Sequence, residues 1–347
     1  MSAQIDMEAG LDEPTEIPVL DLEAYLAGDD GALEKLAAEL RHAQENVGFY
    51  FIINHGVSRE LIAQAYDQIR QFFAQPLDEK LKLRVDETSL GYVPSKSSIY
   101  VTSKINDNTK PDLNETLLTA RERAPDHPSI LAERRFHGPN QWPDENLLPD
   151  YRDRMLAYYA AIEALAFKML PVYARALDLP ADYFEPFFND PMWTTRNSFY
   201  PAVAPEDNQF GISPHCDHGF ITFLPLSDEP GLQVQTQSGR WLPAEQVEGA
   251  IIVNTGEFMN RWTNGRFIAT PHRVIAPEND RYSTALFFNP SWDTVADPLP
   301  TCVSADNPAR FEPVRMIDYL SWYVDRNFNQ DGGGRREDQA SDETDDR

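Results

Sequence analysis

The stretch from Arg196 to Asn289 most constrains what this chain can fold into, because short apolar segments alternate there with turn sequences. The turn sequences are SDEPG, QSG, TNG and PEND. Short strands separated by glycine, proline and asparagine are typical of β-sandwiches and β-barrels. The sequence therefore predicts a core of β-strands in this half of the chain.

Three side chains in this stretch have the types and spacing of a metal site. His215 and Asp217 are two residues apart in HCDHG, and His272 follows in TPHRV. Alternate side chains of a strand share a face, so we predict that His215 and Asp217 face one ion from a single strand. Two imidazoles and one carboxylate leave open positions on a divalent ion, as in non-haem Fe(II) oxygenases. We therefore predict that these three residues bind Fe(II) and form the catalytic centre.

A second group of side chains follows His272. Arg281 and Ser283 are two apart in RYSTALFF and are predicted to share one strand face with Ala285 and Phe287. A guanidinium beside a hydroxyl can hold a carboxylate through paired hydrogen bonds. The two residues are therefore a candidate anchor for an organic acid.

The order of these blocks resembles that of one enzyme family. HCDHGFIT, PGLQV, VNTGEFMNRWTNGRF, TPHRV and RYSTALFFNP follow one another as in the isopenicillin N synthase-like family of Fe(II)/2-oxoglutarate dioxygenases. The blocks IPVLDL, GFYFIINHGV, NQWP and FYP extend the resemblance over roughly residues 16 to 328. The resemblance implies an α+β fold, in which a double-stranded β-helix (jelly roll) carries an N-terminal helical and β extension and backing helices.

The resemblance also implies a cosubstrate and its contacts. Tyr200, in the FYP block, corresponds to a family tyrosine that joins Arg281 and Ser283 at the far carboxylate of 2-oxoglutarate. Decarboxylation of 2-oxoglutarate to succinate and carbon dioxide would drive oxidation of the substrate, with ascorbate as a stimulant. Hydroxylation is the default outcome, and desaturation, ring closure and demethylation are left open. The family often has asparagine where this chain has Ser198, so a cosubstrate contact from that position is left open.

Two other functions are left open. Some relatives use their arginine and serine to hold the substrate's own carboxylate, and they act as Fe(II)-dependent oxidases without 2-oxoglutarate. An inactive binding scaffold is the third interpretation, and it is disfavoured because every ligand and anchor type is present. Release of succinate from 2-oxoglutarate would discriminate among the three.

The residues that flank Asp217 are predicted to take no part in the metal site. Cys216 lies between the first two ligands and by strand alternation should face away from the metal. His218 is one position past Asp217, which places it on the wrong face for the iron in the same strand.

A substrate pocket is predicted where a lid loop, a strand near Leu117, the end of the barrel and the C-terminal helix meet. The predicted lining is mainly aromatic and apolar: Tyr92, Ile99, Tyr100, Leu117, Phe288, Trp292 and Tyr323. Few fixed charges beyond Lys96 and Lys104 are expected there. Such a lining suits a small, largely apolar organic molecule. The alternative is that several of these aromatic residues only pack the lid onto the barrel.

Composition divides the chain into four parts. Residues 1–15 are acidic and aperiodic and predict a loose arm, and residues 329–347 are glycine-rich, then charged, and predict disorder. Between them we predict an N-terminal dioxygenase region at 16–145, with the lid loop at 86–111, and a jelly-roll core with backing helices at 146–328.

Charge and cysteine content limit the partners. The formal net charge of -26 argues against nucleic acid or an anionic membrane as the main partner, because both are polyanions. Two cysteines provide no disulfide framework, and neither a secretory signal nor a segment approaching bilayer-spanning length is expected. We expect a cytoplasmic enzyme that acts with dioxygen on a small molecule, and the sequence indicates no oligomeric state.

Overall fold

A computed structural model describes residues 15–327, so the predictions for the first fourteen residues and for 328–347 lie outside the described residues. The strands are β1 (Val19–Asp21), β2 (Phe49–Ile53), β3 (Gly91–Val93), β4 (Glu115–Ala120), β5 (Thr194–Tyr200), β6 (Ile212–His215), β7 (Ile221–Pro225), β8 (Leu232–Gln235), β9 (Trp241–Pro243), β10 (Ile251–Thr255), β11 (His272–Val274), β12 (Arg281–Phe288), β13 (Val295–Ala296) and β14 (Val314–Arg315). The α-helices are α1 (Glu23–Ala27), α2 (Ala32–Asn46), α3 (Arg59–Phe73), α4 (Leu77–Leu81), α5 (Pro128–Leu131), α6 (Tyr151–Ala176), α7 (Glu257–Trp262) and α8 (Met316–Asn327), and 3-10 turns lie at Glu185–Phe188 and Pro300–Cys302.

Two sheets form the core. The larger has eight strands in the order β1-β2-β10-β7-β12-β5-β4-β3, and the smaller has four in the order β6-β11-β8-β9. The larger sheet is antiparallel except where β1 pairs with β2, and the smaller is antiparallel throughout. Buried side chains of both sheets share one apolar cluster, which includes Phe49, Tyr200, Val234 and Ile252. The fold is the predicted α+β fold with a jelly-roll core.

Helices back the larger sheet through a second apolar cluster. Ser58 is the N-cap of helix α3, and its hydroxyl accepts a hydrogen bond from Leu61 N at 3.1 Å. Its residues Ile69 and Phe72 are buried in the same cluster as Ile162 of α6. Burial of these apolar faces fixes the helices on the sheet and leaves its other face for the site.

The length and composition of helix α6 contradict one prediction. Among the described helices it alone is long and apolar enough to cross a membrane, so the expectation that no segment approaches that length is wrong by length and composition. Half of its most apolar segment is buried within the protein, including Ile162, Leu165 and Met169. A buried core helix meets the same criterion, so the finding carries no conclusion about a membrane.

The strand that carries His215 ends at that residue, so the predicted strand from His215 through Asp217 is wrong. The chain turns at Gly219, where an added Cβ would collide with Asn289 Oδ1. An added Cβ at Gly256 would in turn collide with the Gly219 carbonyl. Two glycines therefore let the turn after β6 approach the backbone that starts α7.

The first amides of α7 hold this turn in place. Glu257 N donates to Asp217 O at 2.8 Å, and Phe258 N donates to His218 O at 3.3 Å. The first N–H groups of a helix have no partner within the helix. These two bonds therefore provide acceptors for the first amides of α7 and donors for the carbonyls of Asp217 and His218. Asp217 is therefore positioned by a helix terminus rather than by strand pairing.

Candidate active site

The three predicted metal ligands converge. The ligand atoms of His215, Asp217 and His272 lie within 4.8 Å of one another, and all three side chains are buried. Asp217 Oδ1 lies 3.8 Å from His215 Nε2 and 3.5 Å from His272 Nε2. The two histidines are directly opposite each other because β6 pairs with β11 at these residues. The structure thus places two imidazoles and one carboxylate around a common point.

Backbone carbonyls orient both imidazoles. His215 Nδ1 lies 2.8 Å from Ser213 O, and His272 Nδ1 lies 3.2 Å from Thr270 O. A carbonyl oxygen only accepts, so Nδ1 of each ring must carry the proton. Each Nε2 then keeps a lone pair on the side of Asp217, where it is available to bind a metal.

The carboxylate is oriented in the same way. Asp217 Oδ2 accepts hydrogen bonds from Thr222 Oγ1 at 2.6 Å and from Asn254 Nδ2 at 2.7 Å. These bonds leave Oδ1 to face the two histidines.

The protonation states suit a divalent metal. Burial alone would raise the pKa of the Asp217 carboxyl, but His272, His215 and the bond from Asn254 hold that pKa well below its usual range. Burial, together with the neighbouring His272, lowers the pKa of His215 to about 3. Neutral imidazole and ionised carboxylate are the forms that bind metals, so the donor set fits an ion such as Fe(II).

Arg281, Ser283 and Tyr200 form a second group, on β12 and β5. Arg281 pairs with Tyr200 across the strands, and its guanidinium carbon lies 4.8 Å from the centre of the tyrosine ring. The Tyr200 hydroxyl is 3.3 Å from Ser283 Oγ. Arg281 is only 2% exposed, and its Nη1 has no hydrogen-bond partner among the described residues. A buried donor of this kind needs an acceptor, and a carboxylate such as that of 2-oxoglutarate fits.

One cavity of about 700 Å³ joins the two groups. The triad and all three anchor residues line it, and so do the alternate residues Ala285 and Phe287 of β12. Ser198 also lines it, with its hydroxyl 3.1 Å from Thr116 Oγ1. A contact from Ser198 to the cosubstrate stays a prediction.

The predicted substrate lining is off by one position on two strands. On β4 the cavity is lined by Leu118, whereas Leu117 is fully buried in the core. On β12 it is lined by Phe287, whereas Phe288 packs in the core against Phe188 at 4.9 Å between ring centres. Both predicted residues were apolar on strands buried on both faces, where hydrophobicity does not distinguish the faces.

The other predicted residues divide between the cavity and its surroundings. Tyr100 and Tyr323 line the cavity. Tyr92 is buried and donates to the Glu115 carboxylate, and Trp292 lies under the guanidinium of Arg134 at 3.9 Å, so both lie outside the lining. Ile99 and Lys104 also lie outside it, whereas Lys96 lies within it.

The lid loop reaches the metal ligands and the C-terminal helix. The Tyr100 ring stacks on the His215 ring with centres 4.3 Å apart. Nearby, the amide of Ile99 donates to the main-chain carbonyl of Asn327 in α8 at 3.4 Å. The amide of Thr102 donates to Asn327 Oδ1 at 3.1 Å. The lid and the end of α8 therefore close over the site together.

Several cavity residues were not predicted from the sequence, and Arg196 and His218 are among them. Arg196 of β5 is 9% exposed and lines the cavity on the same face as Ser198 and Tyr200. Strand alternation from Tyr200 back through Ser198 was the signal that could have found it. His218 was predicted to be on the wrong face for the iron, and the structure places its ring in the cavity lining beside the three metal-ligand residues.

His218 lies in the turn after β6, so strand alternation does not apply to it. Its ring stacks on Tyr323 at 4.5 Å and lies 5.6 Å from Phe287, measured between ring centres. Burial lowers the pKa of His218 to about 4, so the ring is neutral near neutral pH. It can donate one hydrogen bond and accept another.

The jelly roll with two histidines and one aspartate in its cavity defines the class of non-haem Fe(II) oxygenases. Residues 17–145 match the family model described as the N-terminal region of non-haem dioxygenase in morphine synthesis. Residues 192–290 match the model of the 2OG-Fe(II) oxygenase superfamily. The chain belongs to this family: it is an Fe(II)/2-oxoglutarate-dependent dioxygenase, an oxidoreductase.

Curated relatives and solved structures agree with this assignment. The 2-oxoglutarate-Fe(II) type oxidoreductase hxnY of Emericella nidulans is 34% identical, over 88% of this chain and 89% of its own. Kihadalactone A synthase LFS of Citrus sinensis is 34% identical, over 88% of this chain and 92% of its own. A full-length Neurospora crassa protein crystallised with alpha-KG has a TM-score of 0.79 and 26% identity, over 90% of this chain and 98% of its own.

Proposed function

We propose that this dioxygenase oxidises, by hydroxylation in the first instance, a small and largely apolar organic molecule and releases succinate and carbon dioxide. One observation carries the assignment of its residues. The buried Arg281 Nη1, without a partner among the described residues, lies in the same cavity as the three metal-ligand side chains. A carboxylate held there would belong to a molecule that extends toward the metal.

We assign the metal to His215, Asp217 and His272. Bound Fe(II) would supply the redox chemistry by which dioxygen and 2-oxoglutarate oxidise the substrate. The protein's part is to orient the ligands, through the Ser213 and Thr270 carbonyls, and to keep the donor atoms unprotonated.

We assign the far carboxylate of 2-oxoglutarate to Arg281, with Ser283 and Tyr200 as additional donors. Arg281 Nε donates to Glu229 O at 3.2 Å, which fixes the plane of the guanidinium. The remaining edge can then bind a carboxylate with two parallel hydrogen bonds. Because the group is buried, water competes little for these bonds.

The size and lining of the cavity support a small-molecule substrate. A volume of about 700 Å³ lies within the range of ligand sites, and it must hold cosubstrate and substrate together. Leu118, Ala285, Phe287, Leu320 and Val324 supply its apolar walls. These walls favour a substrate with a compact apolar body.

Succinate formation tests the proposal. The protein supplied with Fe(II), ascorbate, dioxygen and 2-oxoglutarate should release succinate, faster when a substrate is added. Replacing Asp217 by Ala should stop it, because the metal loses its only anionic ligand in the triad. Oxygen uptake that does not require 2-oxoglutarate would contradict the proposal and favour an oxidase that uses Arg281 for the substrate.

A further inference from the structure

A second buried arginine lines the cavity beyond the cosubstrate anchor. Arg196 pairs with Ala285 on β12 and with Leu118 on β4, four residues along from the pair formed by Arg281 and Tyr200. Each strand residue advances about 3.3 Å, so the two arginine positions are roughly 13 Å apart along the sheet. Arg196 therefore lies toward the lid, away from the end of the cavity that holds the cosubstrate anchor.

Two hydrogen bonds to neutral groups orient the Arg196 side chain. Its Nη1 donates to the Tyr100 hydroxyl at 2.7 Å, and its Nη2 donates to Asn114 Oδ1 at 3.2 Å. The buried carboxyl of Asp112 is engaged elsewhere. Its Oδ1 accepts from Ser213 N and Oγ, at 2.9 and 2.6 Å, and its Oδ2 has no hydrogen-bond partner among the described residues. Asp112 nevertheless acts on the guanidinium electrostatically: burial alone would lower the pKa of Arg196, but Tyr100, Tyr200 and Asp112 together raise it.

The wall around Arg196 combines apolar surface with one more polar group. Leu118 and Ala285 flank it on the neighbouring strands, and Phe287 follows on the same face of β12. The His218 ring stacks on Tyr323 and also lines the cavity. Its ring nitrogens make no hydrogen bond to another described residue. This part of the cavity therefore offers a cation, an imidazole ring and apolar walls.

We propose that Arg196 binds a carboxylate of the substrate, so that the substrates are small organic acids whose apolar body lies against Phe287 and Tyr323. This inference rests on the proposed function and names the substrate class for that site. A carboxylate beside a buried guanidinium gains charge-assisted hydrogen bonds that a neutral molecule of the same shape does not.

The acidic surface of the protein does not exclude an organic acid. The net charge of -26 repels anions at long range, but that field is screened beyond about 10 Å at moderate ionic strength. The cosubstrate 2-oxoglutarate is itself a dianion and enters the same cavity. Local pairing with Arg281 or Arg196 therefore decides binding.

Calorimetric titration of the protein loaded with Fe(II) and 2-oxoglutarate, without oxygen, tests this proposal without turnover. The probes are pairs of an acid and its primary amide: benzoate and benzamide, phenylacetate and phenylacetamide, cinnamate and cinnamamide. We expect acids to bind about tenfold or more tightly than their amides, since hydrogen bonds to charged groups contribute about 1.5 to 3 kcal/mol. Replacing Arg196 by Gln should remove the preference.

Two variants control for indirect effects. Tyr100→Phe removes a hydrogen bond from the same guanidinium but keeps its charge, so the preference for acids should persist. Arg84→Gln removes an exposed arginine that lines the cavity, and it should also leave the preference intact. Loss of the preference in Arg84→Gln would assign the acid to that arginine and overturn the proposal.

Three other results would overturn it. They are equal binding of acids and amides, absence of acid binding, and an unchanged preference in Arg196→Gln. Loss of 2-oxoglutarate affinity in Arg196→Gln would overturn it as well, by assigning the arginine to the cosubstrate. If the unaltered protein fails to bind 2-oxoglutarate at all, the proposed function itself fails, and this inference fails with it.

Discussion

Asn254 Nδ2 donates to Asp217 Oδ2 at 2.7 Å, which directs the other carboxylate oxygen at the two histidines. Loss of such a supporting bond typically costs about 10- to 100-fold in metal affinity. We expect Asn254→Ala to weaken Fe(II) binding by that factor, measured by anaerobic metal titration. Thr255→Val, at the next residue of β10 and on the opposite face, should leave the affinity unchanged.

Replacing His272 by Ala should abolish iron binding and turnover while the fold is retained. The ring contributes one of the three ligand atoms, whereas the jelly roll is held by its own apolar clusters. Iron content after reconstitution and far-ultraviolet circular dichroism measure the two effects. Full iron content in this variant would refute the metal assignment.

Replacing Arg281 by Lys should sharply raise the concentration of 2-oxoglutarate required for succinate formation. A lysine keeps the charge but loses the planar fork that binds a carboxylate at two points. Fe(II) affinity should change little, because Arg281 is not a metal ligand. Arg273→Lys is the matched control, since Arg273 packs on Trp241 at 4.1 Å outside the cavity lining. An ordinary cosubstrate requirement in Arg281→Lys would place the anchor elsewhere.

Phe287 and Phe288 should differ in what their loss affects. Phe288 is fully buried, so Phe288→Ala should lower the free energy of unfolding by about 3 to 5 kcal/mol. Phe287 lines the cavity, so Phe287→Ala should mainly weaken substrate-stimulated succinate formation. Denaturant unfolding and succinate assays on both variants make the comparison. The reverse pattern would show that the predicted register, with Phe288 in the pocket, was right.

His55 should make the metal-free protein less stable in mild acid. Burial lowers its pKa, and its neutral ring accepts from Val57 N at 3.2 Å while Nε2 donates to Gly249 O at 3.0 Å. As the pH falls, His55 is therefore protonated first in the unfolded chain, near pH 6.5. The free energy of unfolding falls as the pH drops below that value. His55→Asn should reduce this slope in denaturant titrations between pH 7 and 5, relative to the control His42→Gln at an exposed histidine.

Alternation along β12 could be predicted because Arg281 and Ser283, two residues apart, share one face. Arg281 and Ser283 identify the inner face, and Ala285 and Phe287 follow from them. The same reasoning failed beyond His215, since the strand ends there and a turn held by α7 carries Asp217. The ligand set of the triad was nevertheless predicted, because it depends on residue types and block order rather than on the strand.

The substrate half of the cavity was harder to predict. Leu117 and Leu118 are equally apolar and lie on a strand buried on both faces, so composition alone cannot orient them. Arg196 was hidden for another reason. Its charge predicts exposure to solvent, whereas alternation from Tyr200 through Ser198 predicts the inner face, and its hydrogen bond to the distant Tyr100 shows that it lies inside.

The bonds from Ile99 and Thr102 to Asn327 couple two segments more than two hundred residues apart in the chain. An amide exchanges its hydrogen with water only after its bond opens. Both amides should therefore exchange together with those of the last turn of α8, as one cooperative unit. Hydrogen–deuterium exchange would then report opening of the lid even when no substrate is known, and a ligand that seals the cavity would slow all of these amides alike.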